Sequence, residues 1–113
     1  MVLIEAVIKP FKLDDLKEAL EELGVGGMTV TEVMQTAAPK AGRRSADSPG
    51  TDWDMIPKMK VEIAAPRDMT ERVIEAICLH GSVGKSEDGK VMVEQVEGTM
   101  RIRTGDLDAD ALS

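Results

Sequence analysis

Residues 58–64 read K-M-K-V-E-I-A, and their alternation is strict: Met59, Val61 and Ile63 fall on one side, Lys58, Lys60 and Glu62 on the other. A period of two sends successive side chains to opposite faces of a strand, so this stretch predicts a β-strand with one dry and one polar face. Working back, residues 28–34 (M-T-V-T-E-V-M) are rich in β-formers and mostly alternate. Residues 2–8 (V-L-I-E-A-V-I) are almost wholly apolar, the pattern of a strand buried on both faces, and Pro10 ends it. Working forward, residues 91–96 make a fourth strand. Two helices fill the gaps. Residues 12–23 place Leu13, Leu16, Leu20 and Leu23 on one stripe, with Gly24 where a helix end favours a left-handed residue. Residues 68–80 carry Met69, Val73, Ala76 and Ile77, with Asp68 expected as the cap and Glu71 completing a capping box. The order β-α-β-β-α-β predicts an α+β, ferredoxin-like fold, with two helices on one face of a four-stranded antiparallel sheet.

A chain of 113 residues suits one domain, residues 1–113, with a modest core. Phe11 and Trp53 are its only aromatic residues, so the core falls to aliphatic side chains and methionine. Thin packing in a small domain favours oligomerisation, which adds buried surface. The net charge of −7 argues against nucleic-acid binding and against adsorption to anionic lipid. Cys78 is the single cysteine and cannot form an internal disulfide, which fits the cytoplasm; it is expected in the core. No apolar run approaches the roughly 20 residues of a membrane span, and the apolar start reads as a strand and not as a signal peptide.

Residues 35–57 break the pattern, with no periodicity and with Pro39, Gly42, Pro49 and Gly50. Hairpin connections normally take two to five residues, so a long loop points to partner binding; Arg43, Arg44 and Trp53 are its candidate contacts. Residues 81–90 form a polar loop. Its G-K-S-E-D-G-K run (84–90) approaches a phosphate-loop pattern, but Val91 stands where the metal-binding hydroxyl belongs and a strand follows instead of a helix. Arg101 and Arg103 flank Ile102, so in an extended segment both project to one side. Together with Lys85 and Lys90 they gather four cations on an acidic chain, which favours a small anionic ligand held by paired guanidinium hydrogen bonds. Residues 105–113 form an acidic tail expected to be mobile. His80 has no paired ligand at metal spacing, so no metal site and no catalytic residue is expected.

Five runs carry a family resemblance: I-K-P-F-K-L-D-D-L-K-E-A-L (8–20), G-M-T-V-T-E-V (27–33), P-K-M-K-V-E-I (57–63), D-G-K-V (88–91) and R-I-R-T-G (101–105). In this order they resemble the nitrogen-regulatory PII proteins over about residues 1–105. The resemblance implies a homotrimer with ATP and ADP competing for clefts between neighbours. Gly27, Met28 and Thr29, with Glu62, Ile63 and Ala64, would line the adenine and ribose. Asp88, Gly89, Lys90, Arg101 and Arg103 would surround the phosphates, and residues 35–57 would be the T-loop that reaches a target protein, such as a membrane transporter.

The departures lie mostly in that loop. The family pattern G-F-G-R-Q-K-G is replaced by Q-T-A-A-P-K-A (35–41), and Thr51 stands where many members carry a uridylylated tyrosine. Ala38 replaces an arginine that reaches phosphate, and Pro39 replaces the glutamine that helps hold magnesium and 2-oxoglutarate; a proline has no ligand oxygen and no backbone donor. Glu87 replaces a glycine and Val83 a threonine. Lys58, the partner of the 2-oxoglutarate carboxylate in the family, is retained as an effector-binding candidate. The expectation is a divergent PII-like regulator that binds ATP or ADP, with magnesium left open and 2-oxoglutarate sensing impaired. It would serve a transport or metabolic partner outside the usual ammonium branch. A conventional 2-oxoglutarate sensor is the alternative. A slow nucleotide hydrolase using Asp88 or Glu87, or a trimeric metal-handling ferredoxin-like protein, are the readings from other classes.

Overall fold

The computed structural model of the chain describes residues 1–37, 54–82, 84, 89–108 and 111. Pro39, Arg43, Arg44, Thr51, Trp53, Val83, Lys85, Glu87, Asp88 and the end of the acidic tail lie outside the described residues. The elements follow the expected order: β1 (Val2–Ile8), α1 (Leu13–Glu22), β2 (Thr29–Ala37), β3 (Asp54–Ala65), α2 (Thr70–Gly81) and β4 (Val91–Gln95). The four strands form one antiparallel sheet in the order β2-β3-β1-β4, the ferredoxin-like arrangement.

Burial alternates along β1, with Val2, Ile4, Ala6 and Ile8 buried and the residues between them half-buried, so this strand has one wet face and not two dry ones. Its register pairs Ile4 with Ile63, Ala6 with Val61 and Ile8 with Met59. These residues and the stripes of both helices make the core; Ile4, Leu16, Val61, Ile63 and Val73 have no exposed surface. Burying one such aliphatic side chain contributes about 1.5–3 kcal/mol, which fixes the helices on this face of the sheet. Gly81 lets α2 close onto β1, since a Cβ there would meet the Ile8 Cγ2 methyl at 3.0 Å.

Helix α1 ends as its sequence implies. Gly24 adopts a φ of 83°, and the amides of Gly24 and Val25 donate to the carbonyls of Glu21 and Leu20. That paired closure satisfies carbonyls the helix leaves open. The start of α2 differs from expectation. Neither Asp68 nor Glu71 caps it; residues Arg67–Met69 form a 3₁₀ turn, and the Thr70 hydroxyl donates to the Arg67 carbonyl at 2.8 Å. Pro66 supplies the extended residue that starts the turn, and so removes the need for a side-chain cap.

The ladder also runs further than the alternation implied. β2 and β3 pair from Thr29↔Glu62 out to Ala37↔Asp54, so residues 35–37 and 54–57, read as loop, are strand. Pro57 fits because β1 stops at Ile8, opposite Met59, leaving β3 with one neighbour there. Among the described residues no helix is long and apolar enough to cross a membrane.

Candidate functional site

The face of the sheet away from the helices is polar at its centre. Glu5 and Glu62 are opposite each other in the register, as are Val7 and Lys60. Lys60 bridges the carboxylates, with Nζ 2.8 Å from Glu5 and 3.7 Å from Glu62. The hydrogen bond and charge of Glu5, then the charge of Glu62, push the Lys60 pKa above its usual value. One base shared between two acids therefore leaves this face with a single net negative charge at its centre.

The candidate binding residues fall at its two margins. Thr29 opens β2, an outer strand, directly opposite Glu62. Gly27 and Met28 precede it and line a cavity of about 500 Å³ against α1, with Leu13, Asp14, Lys17, Leu20 and Glu21. Ala64 is exposed two residues beyond Glu62. Ile63, expected to line the same pocket, faces the helix side and has no exposed surface.

At the other margin, Gly89 and Lys90 lead into β4 and are exposed. The R-I-R-T-G run beyond it is not extended. Residues 102–104 turn, the Arg101 amide donates to the Asp106 carbonyl at 2.8 Å, and Gly105 takes a φ of 75° to close the loop. The Thr104 hydroxyl donates to the Asp106 carboxylate at 2.8 Å and braces it. Arg101 therefore precedes a turn and Arg103 lies within it, instead of the two alternating along a strand. Arg103 is exposed, while the Arg101 guanidinium also donates to the Ala111 carbonyl at 3.1 Å.

Thr29 and Lys90 thus stand on opposite outer strands, with β3 and β1 between them. Three inter-strand steps separate them by roughly 14 Å before any offset along the strands. Within one chain the expected residues fall into two groups, one at each edge.

The family model for nitrogen regulatory protein P-II matches residues 1–106. The chain belongs to the P-II family. Among similar proteins, the nitrogen regulatory protein P-II of Haemophilus influenzae is 42% identical over 109 residues, covering 96% of this chain and 97% of the relative. That of Bradyrhizobium diazoefficiens is 43% identical over the same shares, and nitrogen regulatory protein P-II 1 of Escherichia coli is 42% identical. P-II proteins are regulators of signalling, and this chain is one of them in fold and sequence.

Two features of this P-II chain differ from the sequence reading. Lys58, expected on the polar face of its strand, is 3% exposed. It lines a cavity of about 170 Å³ with Lys9, Ser82, Gly89 and Lys90. The alternation put Lys58 on the polar face correctly, but gave no sign that neighbouring chain segments cover it. Cys78, expected in the core, is exposed and lines the same cavity, because Ile77 takes the inward position on α2. Lys9, Ser82 and Gln35 were missed as site residues. Lys9 precedes Pro10 in the quoted family run, which was the available signal; Gln35 was assigned to an irregular loop.

Proposed function

We propose that the chain forms a homotrimer that binds ADP or ATP in clefts between neighbouring subunits. It reports the bound state to a target protein, a membrane transporter or metabolic enzyme, through residues 35–57. The observation that carries this reading is the division of the site between opposite edges of one sheet. A contact that joins the β4 edge of one copy to the β2 edge of the next is heterologous, and such contacts close into a ring of three when each step rotates by a third of a turn. It would bring Lys90, Arg101 and Arg103 of one copy to Gly27, Met28, Thr29, Glu62 and Ala64 of another. Exposed apolar side chains at both edges support the same contact: Met92, Val93, Met100 and Leu107 near β4, and Val30 on β2. Cationic groups at one edge and the Gly27–Thr29 edge at the other suit the phosphates and the base of one nucleotide. The work is binding in the cytoplasm, not turnover. Calorimetric titration of ADP into the purified protein, with light scattering for mass, tests the reading. The expected result is saturable binding by a trimer; a monomer, or a trimer indifferent to ADP, would refute it.

A second reading is a conventional sensor of 2-oxoglutarate, and the burial of Lys58 favours it. A lysine held in a small cavity with Lys9 and Lys90 is better prepared for a carboxylate than a solvated one. The missing oxygen donor at Pro39 weighs against it, because losing a metal ligand or its support sharply weakens a metal-bridged complex. We expect no heat when 2-oxoglutarate is titrated into protein saturated with MgATP. A micromolar, ATP-dependent signal would establish the second reading.

A further inference from the structure

Among the described residues Ile102 is the most exposed large hydrophobic side chain, at 97%, and neither the core nor the candidate site uses it. It opens the 102–104 turn two residues after Met100, and Met100 bridges to Leu107 across the closed loop. Met100 and Leu107 are exposed as well, so one small loop carries three apolar side chains in water, where a single stray one would be ordinary. The loop is held firmly. The Arg101 amide donates to the Asp106 carbonyl and the Gly105 amide to the Arg101 carbonyl, both at 2.8 Å. The Asp106 carboxylate accepts from the Thr104 hydroxyl and the Asp108 carboxylate from the Thr99 amide, while Arg103, next to Ile102, is exposed. The α1–β2 cavity of about 500 Å³ is the matching concave feature. It lies on the helix side of the sheet, because Val30, which lines it, pairs with the fully buried Val61. Leu20, Val25 and Met28 line it with Val30, and Asp14 and Glu21 of α1 stand among them. β2 is an outer strand, so the groove borders the edge that the ring contact uses.

We propose that this groove receives Ile102 of the neighbouring copy, with Met100 and Leu107 at its mouth, so that the 102–104 turn is the peg of each ring contact. This rests on the trimer reading above. The occupant is a second copy because the turn follows β4 and the groove flanks β2: a contact between those two edges carries the turn toward the groove. Charge favours the same pairing. Helix α1, the groove's outer wall, reads L-D-D-L-K-E-A-L-E-E, so its acids outnumber Lys17 and attract a turn that presents Arg103. The closed loop is already ordered, so little conformational freedom is lost on docking. Burying one isoleucine from water strengthens a contact by about tenfold or more. The groove also borders Gly27 and Met28, so a seated Ile102 sets Arg101 and Arg103 at the Gly27–Thr29 edge. Ile102 is then a positioning residue for the phosphate-binding arginines, acting from the opposite side of the sheet to Lys60 and Glu62.

Cross-linking tests the seating. In a Cys78→Ser background, which removes the exposed native thiol, Ile102→Cys and Val30→Cys would be combined in one chain and treated with a short bismaleimide. Covalent dimers and trimers should form in the double variant and in neither single variant. Linkage confined within one chain, or no linkage in a protein that is trimeric and binds ADP, refutes the peg and leaves the nucleotide reading standing. A parent that is monomeric and indifferent to ADP removes the reading on which the proposal rests. Ile102→Ser gives a second measure. The protein concentration at which the trimer half-dissociates, followed by light scattering, should rise about tenfold or more. Far-ultraviolet circular dichroism should stay as in the parent, because the side chain is almost wholly exposed within its own chain. An unchanged dissociation concentration would overturn the role of Ile102.

Discussion

The two faces of the sheet divide stability from recognition. Toward the helices, Ile4, Val61, Ile63 and Val73 are fully buried, and each side chain has neighbours on every side. On the other face stand Glu5, Lys60 and Glu62 at the centre, with Gln35 and Lys90 bordering the same cavity. The same strands supply both faces, so a single residue step along β3 passes from core to candidate site: Glu62 faces out, Ile63 faces in. A substitution should therefore disturb one property and spare the other according to its parity along the strand.

The largest effect should come from the buried face. Ile63→Ala leaves a cavity where the side chain has no exposed surface, and should cost about 2–5 kcal/mol of stability. Urea unfolding would register it as a lower midpoint with an unchanged slope. A loss under 1 kcal/mol would mean that this face is not the tightly packed one.

The polar face should respond in binding. Lys90→Ala or Arg103→Ala should weaken ADP by about 1.5–3 kcal/mol, the scale of a lost charged hydrogen bond, while leaving the urea midpoint and assembly mass unchanged. Arg103 should show the cleaner result, since Arg101 also braces the Ala111 carbonyl. Parallel losses in stability and binding would blur the division between the faces.

The smallest effect should come from the ionic centre. The Lys60 pKa is raised by Glu5 and Glu62, so the pair's contribution is complete below the ordinary lysine value of 10.5 and is lost as pH rises through the elevated folded value. Lys60→Met should therefore differ slightly from the parent in unfolding midpoint near neutral pH, and the difference should shrink in strong alkali and in high salt. A difference that grows with alkalinity would contradict the assigned ion pair.

Much of the core was legible because period and burial agree. The leucines of residues 12–23 and the alternation of residues 58–64 each imply a face, and the buried set matches them. The strand pairing then follows from the ferredoxin-like order. What the sequence did not reveal depends on contacts between distant segments. The start of α2 rests on Pro66 and Thr70, a backbone arrangement that competes with the expected Asp68 cap. The turn at Arg101 depends on Asp106 and Gly105, which residue alternation does not weigh. Lys58 and Gln35 lie in ordinary polar positions, and segments distant in sequence line their cavities. Lys90, Arg101 and Arg103 stood out as a charge pattern, while Lys85 lies outside the described residues. The division of the site between two edges needed the sheet order.

Subunit complementation tests the central claim that neighbouring copies share each nucleotide site. One variant would carry Lys90→Ala with Arg103→Ala, and the other Thr29→Ala with Glu62→Ala. Each alone should assemble as a trimer and bind ADP poorly. Unfolded together and refolded at equal concentration, they should regain parent-like affinity in about one cleft in four, because a random ring places the two intact edges together with that frequency. No recovery in mixed trimers, or full binding by either variant alone, would contradict a site built from the edges of two chains.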